Sequence, residues 1–384
     1  MLDNIVFFSG NFVKLFDAHE NSQKLYYSHN KAISALTFNE TMTLAATGDI
    51  SGEIHLWDAL VAKTIQRFPH LVAGAVRDLS FSPSANYLIS LNADLFNTII
   101  VFHSPSGLWS DGRYLCSSSA TKVELKWCRF LGHGDFPIVA GGDGLLYTFK
   151  ISQEAMVKRT VTADQGIKTA LCCSAEVMLS IGDLSLPKKY LVCGSLEGYV
   201  FLFDNLMFSR KISAHDTTIV AITALKNCLY GTFATLASDS IKLWSSSMTL
   251  TRTIEFHRLC RIQNIPATIP GSFCHNSNQQ TIVVHFSNGY LIEISIELLS
   301  MRCICESHTS GELHALDTNP RKPQEFLSCG DDGVLRIWDS NHHYCLKRKQ
   351  LPYSCRSVKF HSTENTLVGG ASEPHSCLKN PKSG

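Results

Sequence analysis

Nowhere in this chain do the roughly 18–20 consecutive apolar residues of a membrane-spanning helix occur. Its start, Met1-Leu2-Asp3-Asn4, puts no basic residues ahead of an apolar run, and the run that follows stops at Phe8. No secretory signal is therefore read there. Charge is scarce as well: Asp, Glu, Lys and Arg make up 17% of the residues, and 34 basic side chains nearly cancel 33 acidic ones, for a net charge of +1. No global field directs such a chain to nucleic acid or to an acidic membrane, and neither partner is expected. Cys-x-x-Cys pairs are missing, so Cys303-Ile304-Cys305 and His342-His343-Tyr344-Cys345 lack the second pair a zinc site requires. No Gly-Lys-Ser/Thr follows Gly141-Gly142-Asp143-Gly144, which reads as a hairpin turn and not as a phosphate loop, and no Gly-x-Ser-x-Gly elbow occurs. No catalytic residue, cofactor or metal is assigned.

What remains is 45% apolar residue content broken into short runs. The clearest is Ser328-Cys329-Gly330-Asp331-Asp332-Gly333-Val334-Leu335-Arg336-Ile337-Trp338-Asp339, a strand, a Gly/Asp turn and an alternating second strand. Weaker copies end at Phe16, Trp57, Phe102, Phe149, Phe203, Trp244 and Ile294, at spacings of 41, 45, 47, 54, 41, 50 and 44 residues through to Trp338. A period of about 40–45 residues ending on Trp-Asp resembles the WD repeat, a four-stranded propeller blade. The fold class predicted is all-β, a WD-repeat β-propeller of seven or eight four-stranded blades.

Taken in order, blades are expected near residues 31–68, 74–112, 121–160, 166–213, 217–256, 258–306 and 311–347, with partial-blade strands at 5–28 and 355–371. The front thus supplies the later strands of one blade and the back its earlier strands. Pairing them into a composite blade would close a single domain over 1–371 and remove the exposed sheet edges. Residues 372–384 read as a disordered polar tail. The start looks cut. Among 14 cysteines, Cys128, Cys172, Cys193 and Cys329 sit singly in apolar strands, where free thiols act as small hydrophobes. Unpaired thiols fit a reducing cytosol.

Several stretches beyond the bare repeat resemble the echinoderm microtubule-associated protein-like family, whose members carry tandem propellers. These are Leu44-Ala45-Ala46-Thr47-Gly48, Val76-Arg77-Asp78-Leu79-Ser80-Phe81-Ser82, Gly198-Tyr199-Val200-Phe201-Leu202-Phe203 before Ile212-Ser213-Ala214-His215-Asp216, and His308-Thr309-Ser310-Gly311-Glu312-Leu313-His314-Ala315-Leu316 followed by Gln324 to Asp332. The similarity is to the first propeller, over residues 5–371. The family's N-terminal coiled coil, basic segment, complete hydrophobic entry motif and second propeller are not intact here, so the chain resembles a fragment, a short isoform or a divergent relative. The resemblance implies a cytoplasmic, cytoskeletal protein that meets other proteins, tubulin or microtubules among them.

In WD repeats a His before the first strand, a Ser/Thr on the second, an Asp in the turn and the Trp of the third form a hydrogen-bonded chain. His308, Ser328, Asp332 and Trp338 occupy those places, and His29, Thr47 and Trp57 make a partial set in which Ser51 replaces the Asp. Such a network holds turns in shape. Lys347, Arg348 and Lys349 form a short basic run, a solvated loop or a contact for an acidic surface. Function therefore reads as a non-enzymatic interaction scaffold. The alternatives are a WD-repeat adaptor in a trafficking, signalling or ciliary complex, and an enzyme with its site in the propeller channel. The latter needs converging carboxylates or histidines at the inner strand ends, and the sequence offers no repeated polar residue there.

Overall fold

The computed structural model describes residues 4–17, 22–132, 137–142, 146–152, 155–161, 167, 169–181, 186–262, 269–276, 280–306, 308, 311–342, 344–362 and 367–371. The tail after 371, residues 143–145 of the Gly-Asp hairpin and His343 lie outside them. Two compact units divide the chain, Met1–His257 and Arg258–Gly384.

The first unit opens with an antiparallel sheet of β1 (Asn4–Ser9), β2 (Phe12–Asp17) and β3 (Ser22–Tyr26). Five four-stranded sheets follow, each a meander whose strands pair in chain order. They are β4 (Ile33–Phe38), β5 (Leu44–Asp49), β6 (Ile54–Asp58) and β7 (Lys63–Phe68); β8 (Val76–Phe81), β9 (Tyr87–Asn92), β10 (Thr98–His103) and β11 (Arg113–Ser119); β12 (Leu125–Phe130), β13 (Ile138–Gly142), β14 (Leu146–Ser152) and β15 (Ala155–Thr160); β16 (Leu171–Leu179), β17 (Lys188–Ser195), β18 (Tyr199–Asp204) and β19 (Met207–Ser213); and β20 (Ile219–Ala224), β21 (Phe233–Ala237), β22 (Ile241–Trp244) and β23 (Leu250–Ile254). The boundary between the units falls, in sequence, within α1 (Phe256–Ile262), the one helix among the described residues.

Two more four-stranded meanders belong to the second unit: β24 (Pro270–Asn276), β25 (Thr281–Phe286), β26 (Leu291–Ser295) and β27 (Met301–Cys305), then β28 (Leu313–Thr318), β29 (Glu325–Gly330), β30 (Val334–Asp339) and β31 (Tyr344–Gln350). A pair, β32 (Cys355–Phe360) and β33 (Leu367–Ala371), ends it. The fold class is thus all-β with the blade architecture of a WD-repeat β-propeller.

Repetition is visible in the backbone itself. The first strand of each four-stranded sheet, and β32 likewise, carries a register shift near its start, at Ile33/Ala35, Val76/Asp78, Leu125/Trp127, Leu171/Cys173, Ile219/Ala221, Pro270/Ser272, Leu313/Ala315 and Cys355/Ser357. A bulge at one place in each strand adds the same local twist to each sheet. Burial repeats too: β5, β9, β13 and β21 are almost wholly buried, whereas the outermost strands β15 and β19 are exposed along nearly their whole length. A strand covered on both faces reads as a continuous apolar run.

Within each unit, what covers those faces is a neighbouring sheet. Leu56, Phe68, Leu79, Leu88 and Phe102 form one core between consecutive sheets of the first unit. Ile89, Val101, Cys128, Ile138 and Phe149 form the next, and Val177, Val192, Ile219, Phe233 and Trp244 another. Leu327, Cys329, Cys355 and Val358 do the same in the second unit. Polar ties reinforce the stacking: Ser34 Oγ donates to the Val76 carbonyl at 2.6 Å, and the Cys128 amide to Asp78 at 2.9 Å. None of the thirteen described cysteines is in a disulfide.

One outer strand departs from the sequence reading. The second blade does not end at residue 112, because β11 pairs with β10 over Arg113–Ser119. Within the intervening loop Trp109 is fully buried against Phe68 and Phe81 and donates its indole N–H to the Ala85 carbonyl at 2.9 Å.

Candidate functional site

Three clusters of His, Ser/Thr, Asp and Trp lie at the sheet ends, and each begins in the loop before a first strand. In the β28–β31 sheet, His308 Nε2 is 2.7 Å from Ser328 Oγ and Nδ1 is 2.9 Å from Asp332. Trp338 Nε1 donates to the same Ser328 oxygen at 2.7 Å. The Asp332 carboxylate can only accept, which assigns the imidazole N–H to Nδ1; Nε2 of the neutral ring then accepts the Ser328 hydroxyl proton, and the Ser328 oxygen accepts the indole N–H. Asp332 also takes the Val334 amide and the guanidinium of Arg336, which is 2% exposed. Burial works to raise the Asp332 pKa, but the bonds from Arg336, the Val334 amide and His308 outweigh it and hold the carboxyl below the ordinary range. His308 is pushed down, chiefly by burial.

In the β4–β7 sheet, His29 Nε2 meets Thr47 Oγ1 at 2.9 Å and Nδ1 meets Asp49 at 3.0 Å. The sequence reading put Ser51 in the carboxylate's place, and the structure corrects it. Asp49 is the partner of His29, and Ser51 is an accessory that donates its amide and hydroxyl to Asp49 Oδ1 at 2.8 and 2.6 Å. Only a carboxylate has enough lone pairs to accept from the imidazole, Ser51 and the Glu53 amide together. Trp57 is fully buried but sits outside this hydrogen-bonded chain. Its Nε1 has no hydrogen-bond partner, and its ring stacks on Tyr26 with centroids 4.4 Å apart.

A third cluster, in the β20–β23 sheet, was not read from the sequence. His215 Nε2 lies 2.8 Å from Thr235 Oγ1, which accepts from Trp244 Nε1 at 3.0 Å, while Ser240 stands 3.4 Å from Nδ1. Its signal was present: His215 precedes Thr235 by 20 residues, as His308 precedes Ser328, and Trp244 follows by nine. Burial drives the His215 pKa down to about 4. Gly198 seats this histidine. Its carbonyl accepts the Ala214 and His215 amides, its φ is +81°, and a Cβ there would lie 2.0 Å from the His215 carbonyl oxygen.

An Asp–His–Ser sequence of contacts has the outline of a nucleophilic triad, but Ser328 is 3% exposed and one of its two lone pairs accepts the Trp338 N–H. Thr235 is spent in the same way on Trp244.

Of the basic run, Lys347 and Lys349 are exposed on the outermost strand β31, whereas Arg348 turns to Glu306 at 2.9 Å and the Tyr290 hydroxyl at 3.0 Å. Cys303, Cys305 and Cys345 direct their thiols to backbone carbonyls. A concavity of about 560 Å³ in the first unit opens where β4, β8 and β12 end on Phe38, Phe81 and Phe130. Glu40, Pro83, Gly132, Glu176 and Lys189 complete it, Glu176 accepting the Gly132 amide at 2.6 Å with Lys189 3.7 Å away. An aromatic floor with a neutralised carboxylate–ammonium pair suits a docked side chain more than bond-making.

Comparison with known proteins agrees with this geometry. The family model described as "WD domain, G-beta repeat" matches residues 20–58 and 300–339. Echinoderm microtubule-associated protein-like 2 from Rattus norvegicus is 21% identical over 394 residues, covering 95% of this chain and 55% of that protein, and the Homo sapiens protein gives the same figures. The 77 kDa echinoderm microtubule-associated protein of Lytechinus variegatus is 21% identical over 387 residues, covering 95% and 54%. The chain spans about half the length of the curated relatives it matches.

Proposed function

We propose that this chain, a WD-repeat protein resembling the echinoderm microtubule-associated proteins, is a non-enzymatic scaffold of the microtubule cytoskeleton that binds other proteins through the loops of its sheets. One observation carries the reading. In all three clusters the side chains able to do chemistry, His29, Thr47, His215, Thr235, His308 and Ser328, are committed to one another, where they fix turn geometry. The loops so fixed are what a rigid repeat presents to partners. The names of its relatives support the microtubule as the setting, and the cytoplasm as the compartment.

Microtubule surfaces are acidic, and the chain's net charge is +1, so binding to the lattice is weak and steeply salt-dependent. Co-sedimentation with microtubules at two ionic strengths, beside capture of soluble tubulin, tests this. Retention at low salt that falls away at high salt agrees with it. Absence from both fractions would shift the reading to an adaptor in another complex.

A further inference from the structure

The outermost strands of the first unit sort charge by sign. β3, β7, β11, β15, β19 and β23 carry Lys24, Lys63, Arg67, Arg113, Lys158, Arg159, Arg210, Lys211 and Arg252 between them, and no Asp or Glu. With 34 basic and 33 acidic residues, composition does not produce this. Blunting an open sheet edge against aggregation explains a charge on each strand, but either sign would serve. One sign throughout points to a partner of the other.

The edge best suited to receive it is β19. It ends its sheet in the order β16-β17-β18-β19, and six of its seven residues are exposed. Arg210 makes no hydrogen bond or ion pair among the described residues. Lys211 is held by rings instead of by a carboxylate, its ammonium 3.5 Å from the Tyr199 centroid and 5.5 Å from that of Phe201. Met207 and Phe208 add exposed apolar surface beside them, 65% and 39% accessible.

We propose that this edge docks an acidic polypeptide segment, which adds in extended form as a fifth strand along Met207–Ser213 and sets its carboxylates against Arg210 and Lys211. An unpaired strand edge offers a row of amides and carbonyls that only another polypeptide can continue, and this selects an acidic peptide over a nucleic acid. The inference rests on the scaffold reading and names the chemistry of one partner.

A synthetic peptide of Glu-Glu-Val-Val repeats, which presents glutamates on both faces of an added strand, titrated into the full chain at low and moderate salt, is the probe. Binding is expected that weakens with salt, falls about tenfold in Arg210→Glu/Lys211→Glu, and falls likewise when alternate peptide amides are N-methylated. The same double variant should gain affinity for a lysine–valine peptide, which shows that it is folded and that the charge contact is local. Equal binding by parent and variant, indifference to N-methylation, or tighter binding of an oligothymidylate would overturn the proposal. If the variant still co-sediments with microtubules while the parent ignores the acidic peptide, the docking edge fails and the scaffold reading stands.

Discussion

His29 and His55 lie face to face in the first unit, ring centroids 3.7 Å apart and planes 13° from parallel, with side chains 0% and 1% exposed. His29 bonds Asp49, and His55 bonds Glu53 at 2.8 Å. Both pKa values are lowered, first by burial, and His55 also by the charge His29 would carry.

A pH dependence follows from that pair and from His215. Each imidazole has a folded pKa below its unfolded value of about 6.5, so across the gap the unfolded chain binds more protons. Stability is complete above about pH 6.5 and is lost as the pH falls through the folded values. For His215, with a folded value near 4, the loss reaches about 3 kcal/mol. The melting temperature is expected to fall between pH 7 and pH 5, and His55→Phe, which keeps the stack and removes one titration, should flatten the slope. A flat parent curve over that range would contradict this.

The two carboxylates at equivalent places should not be equal. Asp332→Ala strands the Arg336 guanidinium, which is 3% exposed at its side chain, and removing the partner of a buried charge costs about 3–5 kcal/mol. Asp49→Ala leaves neutral donors unpaired at about 1–3 kcal/mol. Thermal unfolding of both should rank Asp332→Ala lower.

The hydroxyls separate in a similar way. Thr235 serves both His215 and Trp244, so Thr235→Val leaves two buried groups unsatisfied at about 1–3 kcal/mol each. Thr47 serves His29, but Trp57 Nε1 does not reach it. Thr47→Val should therefore cost about half as much in a chemical-denaturation comparison. Trp57→Ala, in contrast, empties a fully buried site and should cost about 3–5 kcal/mol.

The sequence made the repeat legible because central strands are covered on both faces, so each copy ends in the same apolar run, such as Glu53 to Trp57 or Tyr199 to Phe203. Outer strands have no such pressure. In β11 the residues Arg-Tyr-Leu-Cys-Ser-Ser-Ser bury only Cys116, which is why the sequence shows the second blade ending near residue 112. The cluster residues were legible where spacing was regular, at His308, Ser328, Asp332 and Trp338. They misled where geometry decided, since Asp49 and Ser51 differ by two residues and only the turn shows which side chain faces His29. Likewise, composition carries no sign of the charge sorting on the outer edges. It emerges only once the strand order is known.

One tie between sheets tests how the stacked blades hold together. Asp78 on β8 accepts both the Cys128 amide and the Arg129 guanidinium of β12, so one carboxylate fastens two neighbouring first strands. Burial works to lower the Arg129 pKa, but the Asp78 charge outweighs it and the value is raised, so the pair stays ionised. Asp78→Ala should cost about 1–3 kcal/mol, chiefly because it leaves the Cys128 amide unpaired, since the Arg129 side chain is 37% exposed and its charge can turn to water. Arg129→Leu added to that variant removes a cation that has already lost its carboxylate, and so costs little more. The double variant is therefore expected to be about as stable as Asp78→Ala alone, and a double-mutant cycle in urea measures the coupling. Additive losses would mean that the two side chains do not share the joint. Equal stability of Asp78→Ala and the parent would place the cohesion of β8 and β12 in the apolar contacts between their sheets.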